Sequence, residues 1–340
     1  MAVPSIDLHL TQQQLFALGN QSGMPLGVLS PLKPKTAEQQ AMARERVLSP
    51  SLLGTDGKMR PELRPAFYTL SNPQAYALLA YMGRSFLLET TYYYPDATVA
   101  TGNVSLTDTD EGLKMSSPGV KEGVFELLRQ YIGETVLRRM DYDFNFPLMD
   151  AWVMFGVIDV CRRKMLNAVL EYALPPKIEI SLGELYAAIS AESNNMQWFS
   201  PYFDGCLSLA QISQNDTQAG IRNLVTRGLL HMQGETILPA DQIIQIADEF
   251  LVIDGHLRLR TGMISDGQPQ HVDMRAIQGR SGAIMFWSYD NQEINLISLS
   301  PEQLMMIISS LIESPATHLG GASALPRLPL TPSRPPEQLS

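Results

Sequence analysis

One stretch occurs twice in this sequence, and that duplication constrains the fold more than any other feature. The first copy runs from Leu52 to Pro61 and reads Leu-Leu-Gly-Thr-Asp-Gly-Lys-Met-Arg-Pro; the second runs from Leu229 to Pro239 and reads Leu-Leu-His-Met-Gln-Gly-Glu-Thr-Ile-Leu-Pro. In both, two leucines precede a polar turn, a glycine stands five places after the first leucine, and a proline leads into an apolar helical segment. Glycine lets the backbone reverse at no steric cost. Gly57 and Gly234, 177 positions apart in 340 residues, are therefore expected to be structural turns at equivalent places in two superposable halves.

The flanks repeat as well. Thr11-Gln-Gln-Gln14 and Ser181-Leu-Gly-Glu184 both fit a capping box, in which the hydroxyl and the amide or carboxylate satisfy free amides at a helix start. The helices that follow carry Leu15-Phe16-Ala17 and Leu185-Tyr186-Ala187, offset by 170 positions. Apolar-periodic segments come after each turn, at Leu63 to Leu70 and Ile243 to Leu251, and strand-like runs follow them. Each half then closes with a serine-rich approach to a proline and a helix, Pro118 to Tyr131 and Pro301 to Ile312. The pattern predicts an α+β fold made of two pseudo-repeated halves. Each half would have winged-helix-like amino-terminal helices, antiparallel strands and a carboxy-terminal helix.

A helical middle separates the halves. Val120 to Met140 and Leu148 to Tyr172 have apolar residues at helical spacing, on either side of an aromatic and acidic loop from Asp141 to Pro147. The second of these is apolar on more than one side and is expected to be a central packing helix ended by Pro175-Pro176. The expected organisation is 1–140 as the first repeat, 141–176 as a helical connector, 177–314 as the second repeat and 315–340 as a disordered proline-rich tail. Leu257-Arg-Leu-Arg260 alternates as a strand with one wet face, and Asp266-Gly267 is a hairpin signal.

With 45% apolar and 18% charged residues, the chain can bury a large core. Its net charge of −10 disfavours nonspecific attraction to nucleic acid or anionic membrane. Cys161 and Cys206 have neither disulfide-framework nor metal-ligand spacing. The start Met-Ala-Val-Pro-Ser-Ile-Asp lacks the basic and apolar regions of a signal peptide, and a cytoplasmic setting is the expectation.

The motifs of catalysis are missing: there is no Gly-x-Gly-x-x-Gly, Walker loop, His-Glu-x-x-His or Gly-x-Ser-x-Gly. Asp108-Thr-Asp110-Glu-Gly112 departs from a calcium loop, with its glycine one place early and no closing glutamate, and is expected to be a polar hairpin. His9, His231, His256, His271 and His318 are scattered, though His256 and His271 are able to meet across a hairpin. No catalytic, metal or cofactor-binding residue is assigned, and a non-enzymatic role is expected. A DNA-binding regulator is the alternative: Leu207 to Ile212, a Gln-Asn-Asp turn, a helix from Thr217 to Leu230 and Thr236-Ile-Leu238 follow the order of a winged helix-turn-helix. Its second helix offers Arg222 and Arg227 alone as cations, a poor basis for phosphate neutralisation.

A family resemblance joins these residues. Leu10-Thr11 with its leucine-bearing helix, Thr36-Ala-Glu38, Leu52-Leu53, Asp56-Gly57, Pro61-Glu-Leu63 and Leu70 before Asn72-Pro73 resemble the amino-terminal half of the EspG proteins. The family's Arg-Gly-Leu is replaced by Ser49-Pro-Ser51 in the first half and stands as Arg227-Gly228-Leu229 in the second. The resemblance covers Leu8 to Tyr131 and, through the repeat, Ile178 to Ile312. EspG proteins are cytosolic chaperones of type VII (ESX) secretion. The resemblance implies a shared antiparallel sheet flanked by helical bundles, and a protein client such as a PE-PPE helical pair held by the apolar tip of its hairpin, with no cofactor and no membrane. Seventeen methionines suit a permissive binding surface. Phe286, Trp287, Tyr289, Met305 and Met306 are the expected partner-binding residues.

Overall fold

The computed structural model describes residues 5–21, 23–44, 52–56, 58–96, 102–137, 140–174, 177–190, 197–199, 213–290, 293–313 and 315. Cys206, the Leu207 to Ile212 segment, Pro175-Pro176, Gly57 and the expected tail beyond Pro315 lie outside these residues.

In the first half, strand β1 (Ile6–Leu10) leads to helices α1 (Gln12–Gln21) and α2 (Ala37–Arg44). A single 3-10 turn at Pro61–Leu63 and α3 (Arg64–Ser71) follow, then strands β2 (Ala75–Gly83), β3 (Leu87–Tyr94), β4 (Val104–Thr109) and β5 (Gly112–Ser117), and α4 (Glu122–Ile132). The second half begins with β6 (Asp143–Pro147) and α5 (Leu148–Leu170), continues through β7 (Ile180–Ser181), α6 (Leu182–Ser190), α7 (Gln214–Thr226), β8 (Leu230–Gln233), β9 (Thr236–Pro239) and α8 (Asp241–Glu249). It ends with β10 (Ile253–Ser265), β11 (Gln268–Gly279), β12 (Ile284–Asp290), β13 (Glu293–Leu299) and α9 (Pro301–Glu313).

Ten strands form one antiparallel sheet in the order β1-β5-β4-β3-β2-β10-β11-β12-β13-β6. The order reads outward from a central β2–β10 pair as β2-β3-β4-β5-β1 on one side and β10-β11-β12-β13-β6 on the other. In that pair Leu79 lies opposite Leu259, and Ala75 to Gly83 runs against Met263 to Gly255. The α+β class is as expected. The second sheet, β7-β9-β8, is small and sits among the helices of the second half.

Local chemistry explains the boundaries. Capping boxes open α1 (Thr11 with Gln14), α2 (Thr36 with Gln39), α6 (Ser181 with Glu184), α7 (Ser213 with Asp216) and α9 (Ser300 with Gln303). Gly133, at φ +90°, stops α4 well short of the expected Met140, and Gly228, at φ +72°, ends α7 before the expected Leu230. Gln214 to Asp216, expected as a turn, forms the first turn of α7 because Ser213 caps it. Asp266 and Gly267 both take positive φ, the two-residue turn that matches strand twist. The Asp108 to Gly112 stretch is the β4–β5 turn, with Thr109 paired to Gly112.

The segment from Asp141 to Pro147, expected as a loop, is largely strand. Its residues Asp143 to Pro147 form edge strand β6, paired with β13 from Asp143–Ile297 to Pro147–Glu293. The reason is a period-two pattern: Tyr142, Phe144 and Phe146 alternate with Asp141, Asp143 and Asn145. Phe146 is wholly buried, and Pro147 lacks the amide that an inner strand would need.

Three apolar clusters divide the molecule. The first lies under α1 to α3 on one end of a sheet face and includes Leu15, Leu18, Phe67, Val104 and Met115. The second gathers α5 to α8 on the same face at the other end, around Trp152, Phe155, Phe250 and Trp287. The third covers the opposite face beneath α4 and α9, around Leu79, Tyr92, Leu259, Phe286 and Ile308. Thus 141–176, expected as a connector, gives both β6 and the buried helix α5 to the core of the second half.

Both copies of the duplicated stretch close as small hairpins. Leu52 C=O accepts from Arg60 N–H at 3.1 Å and Leu53 bridges Met59; Leu230 pairs with Pro239 and Leu229 C=O accepts from Ala240 N–H at 3.0 Å. Leu52, Leu229 and Leu230 are buried, and Gly234 takes φ +61° in the β8–β9 turn.

Candidate protein-docking groove

The expected partner-binding residues fall on two elements, and alternation along β12 separates them. Phe286 points into the layer beneath α4 and α9, and its neighbour Trp287 points to the α5 side. They are 0% and 3% exposed, so both are core residues with no surface to offer. Tyr289 is half-buried and packs against the α5 cluster. Met305 and Met306 are different: on α9 the first is half-buried and the second is 51% exposed.

Those two methionines line a groove of about 500 Å³ between α4 and α9. Phe125 contributes from α4, Ser309 from α9, and Arg129, Glu134 and Glu302 form a charged rim. The rim is mixed in sign, with Arg129 Nε 3.8 Å from the Glu134 carboxylate. Immediately after Glu134, Val136 and Leu137 are 64% and 73% exposed. Their segment is tied to the groove because Glu302 N–H donates to Thr135 C=O at 3.3 Å.

Rigid supports hold both helices. On α4, Tyr131 stacks on Phe86 with ring centroids 4.8 Å apart and planes 6° from parallel, and both rings tilt against Tyr81. Burial pushes the Tyr81 hydroxyl up to about 12, so it stays protonated as a packing ring. Gln278 of β11 donates from its side-chain amide to the Tyr131 and Ile132 carbonyls, satisfying orphan acceptors at the end of α4. On α9, Ser300 and Gln303 close the capping box, Pro301 occupies the first helical turn, and the Tyr94 hydroxyl donates to Ile312 C=O near the other end. Methionine content and the adaptable thioether are the sequence signals that single out Met305 and Met306 on α9. Phe125, Arg129 and the Val136-Leu137 pair were missed, since their relation to α9 arises only when both helices dock on one sheet face.

The other sequence candidates are dispersed. His256 is buried on β10 and His271 lies on β11, paired opposite Ile277 and Gly262 respectively, so the two histidines do not meet. Arg227, the residue just after α7, donates from Nη1 to Asn145 C=O at 2.6 Å and its guanidinium lies 4.9 Å from the Phe146 ring centroid, an arrangement that occupies one of the two cations of the expected recognition helix within the protein. Among the described residues, no group of three His, Cys, Asp or Glu side chains is placed to hold a metal ion. No helix there is long and apolar enough to cross a membrane.

No family model and no curated protein matches this sequence. Among solved structures, the chain is similar to the type VII secretion system chaperone EspG5 of Mycobacterium tuberculosis, determined in complex with a PE25-PPE41 dimer. The TM-score is 0.44 at 7% identity, over 91% of this chain and 96% of that one. A similarity of this degree assigns no family to the chain.

Proposed function

We propose that this protein is a non-catalytic binding protein, a chaperone or adaptor that shields an apolar helical segment of a protein client in the groove between α4 and α9. The observation that carries this reading is the groove itself, with its thioether and phenyl lining, mixed-charge rim and adjoining exposed Val136 and Leu137. Methionine and phenylalanine adapt to irregular apolar surfaces. A volume of about 500 Å³ accommodates successive anchor side chains from one face of an amphipathic helix, the helix-in-groove mode of recognition. A rim of both signs orients such a helix without demanding a strongly charged one. The sequence resemblance to the EspG proteins suggests the kind of client, a PE-PPE helical pair.

The test is co-elution of the full chain with a PE-PPE pair, repeated with Met306→Asp. Met306 is half exposed, so the variant should fold with an unchanged melting temperature while losing the complex. A photo-crosslinking residue at position 306 should label the client on a helix. Retention of the complex by Met306→Asp would remove the groove from the mechanism. Failure of the wild type to bind any such pair would remove the proposed client class.

A further inference from the structure

The sheet face opposite α4 and α9 is covered at its two ends and open between them. Along β2 every second residue from Ala75 to Tyr81 is buried while Tyr76, Leu78 and Ala80 stay half-exposed, and β3 alternates likewise around Glu89 and Thr91. On this open strip the Val28 to Lys35 segment borders β2, β3, β10 and β11 and lines with them a half-open pocket of about 290 Å³. Val28, Leu29, Leu78 and Pro269 give it apolar walls; Lys35, Arg260 and His271 converge as its charged or titratable groups. A second cavity of about 300 Å³ adjoins it, sharing Pro31, Lys35, Thr91 and Tyr93. Apolar walls with a few convergent polar groups are the usual make-up of a small-molecule site.

The electrostatics of the strip run against those of the chain. The whole protein carries −10, yet Lys35, Arg258, Arg260 and Arg275 gather here around three carboxylates, Asp273, Glu89 and Asp108. Asp273 serves three guanidiniums: Arg258 Nη2 is 2.7 Å away, with Arg275 Nε and Arg260 Nε at 3.7 and 3.8 Å. Lys35 has no ion-pair partner among the described residues. Positive charge is thus left over, and burial together with Arg260 and Lys35 holds the His271 imidazole below its ordinary range. Burial also pushes the Tyr76 hydroxyl upward.

Tyr76, Gly262 and His271 are direct cross-strand neighbours, and any side chain at the middle position would displace the two rings beside it. A Cβ at Gly262 would fall 2.4 Å from the Tyr76 ring and 2.6 Å from His271 Nδ1. With that space left clear, the Tyr76 oxygen meets His271 Nδ1 at 3.1 Å.

We propose that this cavity binds a small anionic molecule, a carboxylate or phosphate monoester. Lys35 and Arg260 supply its charge contacts, and the Tyr76–His271 pair supplies a hydrogen-bonding wall. This site is on the opposite sheet face from the α4–α9 groove and stands independently of the function proposed for it.

Calorimetric titration of the full chain with inorganic phosphate and with citrate tests the assignment. Saturable binding with a dissociation constant of about 1 mM or tighter is expected, with the His271 ring resonances moving as the ligand is added. Lys35→Gln should weaken binding about tenfold, and so should Arg260→Gln. Lys35 is exposed on a connecting segment, so its variant remains informative even if Arg260→Gln disturbs the sheet. No saturation with either anion, or equal affinity in Lys35→Gln, would overturn the proposal. A glutamate-rich peptide binding more than tenfold tighter than citrate would also overturn it, by showing that the site takes a carboxylate presented on a protein chain.

Discussion

Asp159 and Arg162 form an ion pair that is 2% and 0% exposed, with Arg162 Nη1 3.0 Å from Asp159 Oδ1. Around it a short segment is pinned to α5. Phe199 N–H donates to both Asp159 oxygens at 3.0 and 2.9 Å, Arg162 Nη2 donates to Leu251 C=O at 3.3 Å, and the guanidinium lies 5.4 Å from the Trp198 ring and 5.1 Å from the Phe199 ring. A buried pair adds little beyond a well-packed apolar substitute, but removing one member strands the other charge. Asp159→Asn should therefore cost about 3–5 kcal/mol in urea-induced unfolding, and the double variant Asp159→Leu/Arg162→Met should recover a large part of that loss. A small loss in Asp159→Asn beside a large loss in the double variant would show that Phe199 N–H, and not the charge, is what Asp159 serves, because asparagine keeps an acceptor oxygen and leucine has none.

Among the elements, α6 illustrates how a cap couples to pH. Its capping box places Glu184 within 2.6 Å of Lys164 Nζ and 2.8 Å of Ser181 N–H, and these contacts, the lysine first, hold the Glu184 carboxyl below its ordinary range. A depressed folded-state value means that the stabilisation is complete above the usual glutamate range and is lost as pH falls through the lower folded value. The stability gap between wild type and Glu184→Gln should accordingly be widest near neutral pH and close in acid, as read from unfolding midpoints. Ser181→Ala should cost about 1 kcal/mol through the loss of the cap itself.

Caps of this kind were legible in the sequence because they are local. Thr11, Thr36 and Ser181 each announce a helix three residues before the partner side chain. β6 was harder, since its alternating aromatics were hidden by three acidic or amide residues and a proline. The sites were harder still. Met305 and Met306 are visible as an apolar run, but Phe125 and Arg129 reach them only through two helices docked on one sheet. Tyr76, Arg260 and His271 converge through strand pairings that join residues up to 195 positions apart, and no local pattern encodes such a meeting.

At the scale of the molecule, one seam joins the two series of strands. The β2–β10 pairing runs over nine residue pairs, from Ala75–Met263 to Gly83–Gly255. Cutting the chain at the proposed boundary after residue 140 would leave each piece with a long unpaired edge. Exposed edges of this kind recruit other strands. Fragments 1–140 and 141–315 should each aggregate when expressed alone and should co-elute as a soluble pair when expressed together. Soluble, monomeric fragments would show that each half closes its own edge. The same seam bears on how the protein assembles in the first place. Its two sides are complementary to each other in any copy of the chain, so two unfolded molecules brought together at high concentration have a second way to finish the sheet, exchanging halves. A domain-swapped dimer, separable from monomer by size and slow to dissociate, is the expected by-product of concentrated refolding.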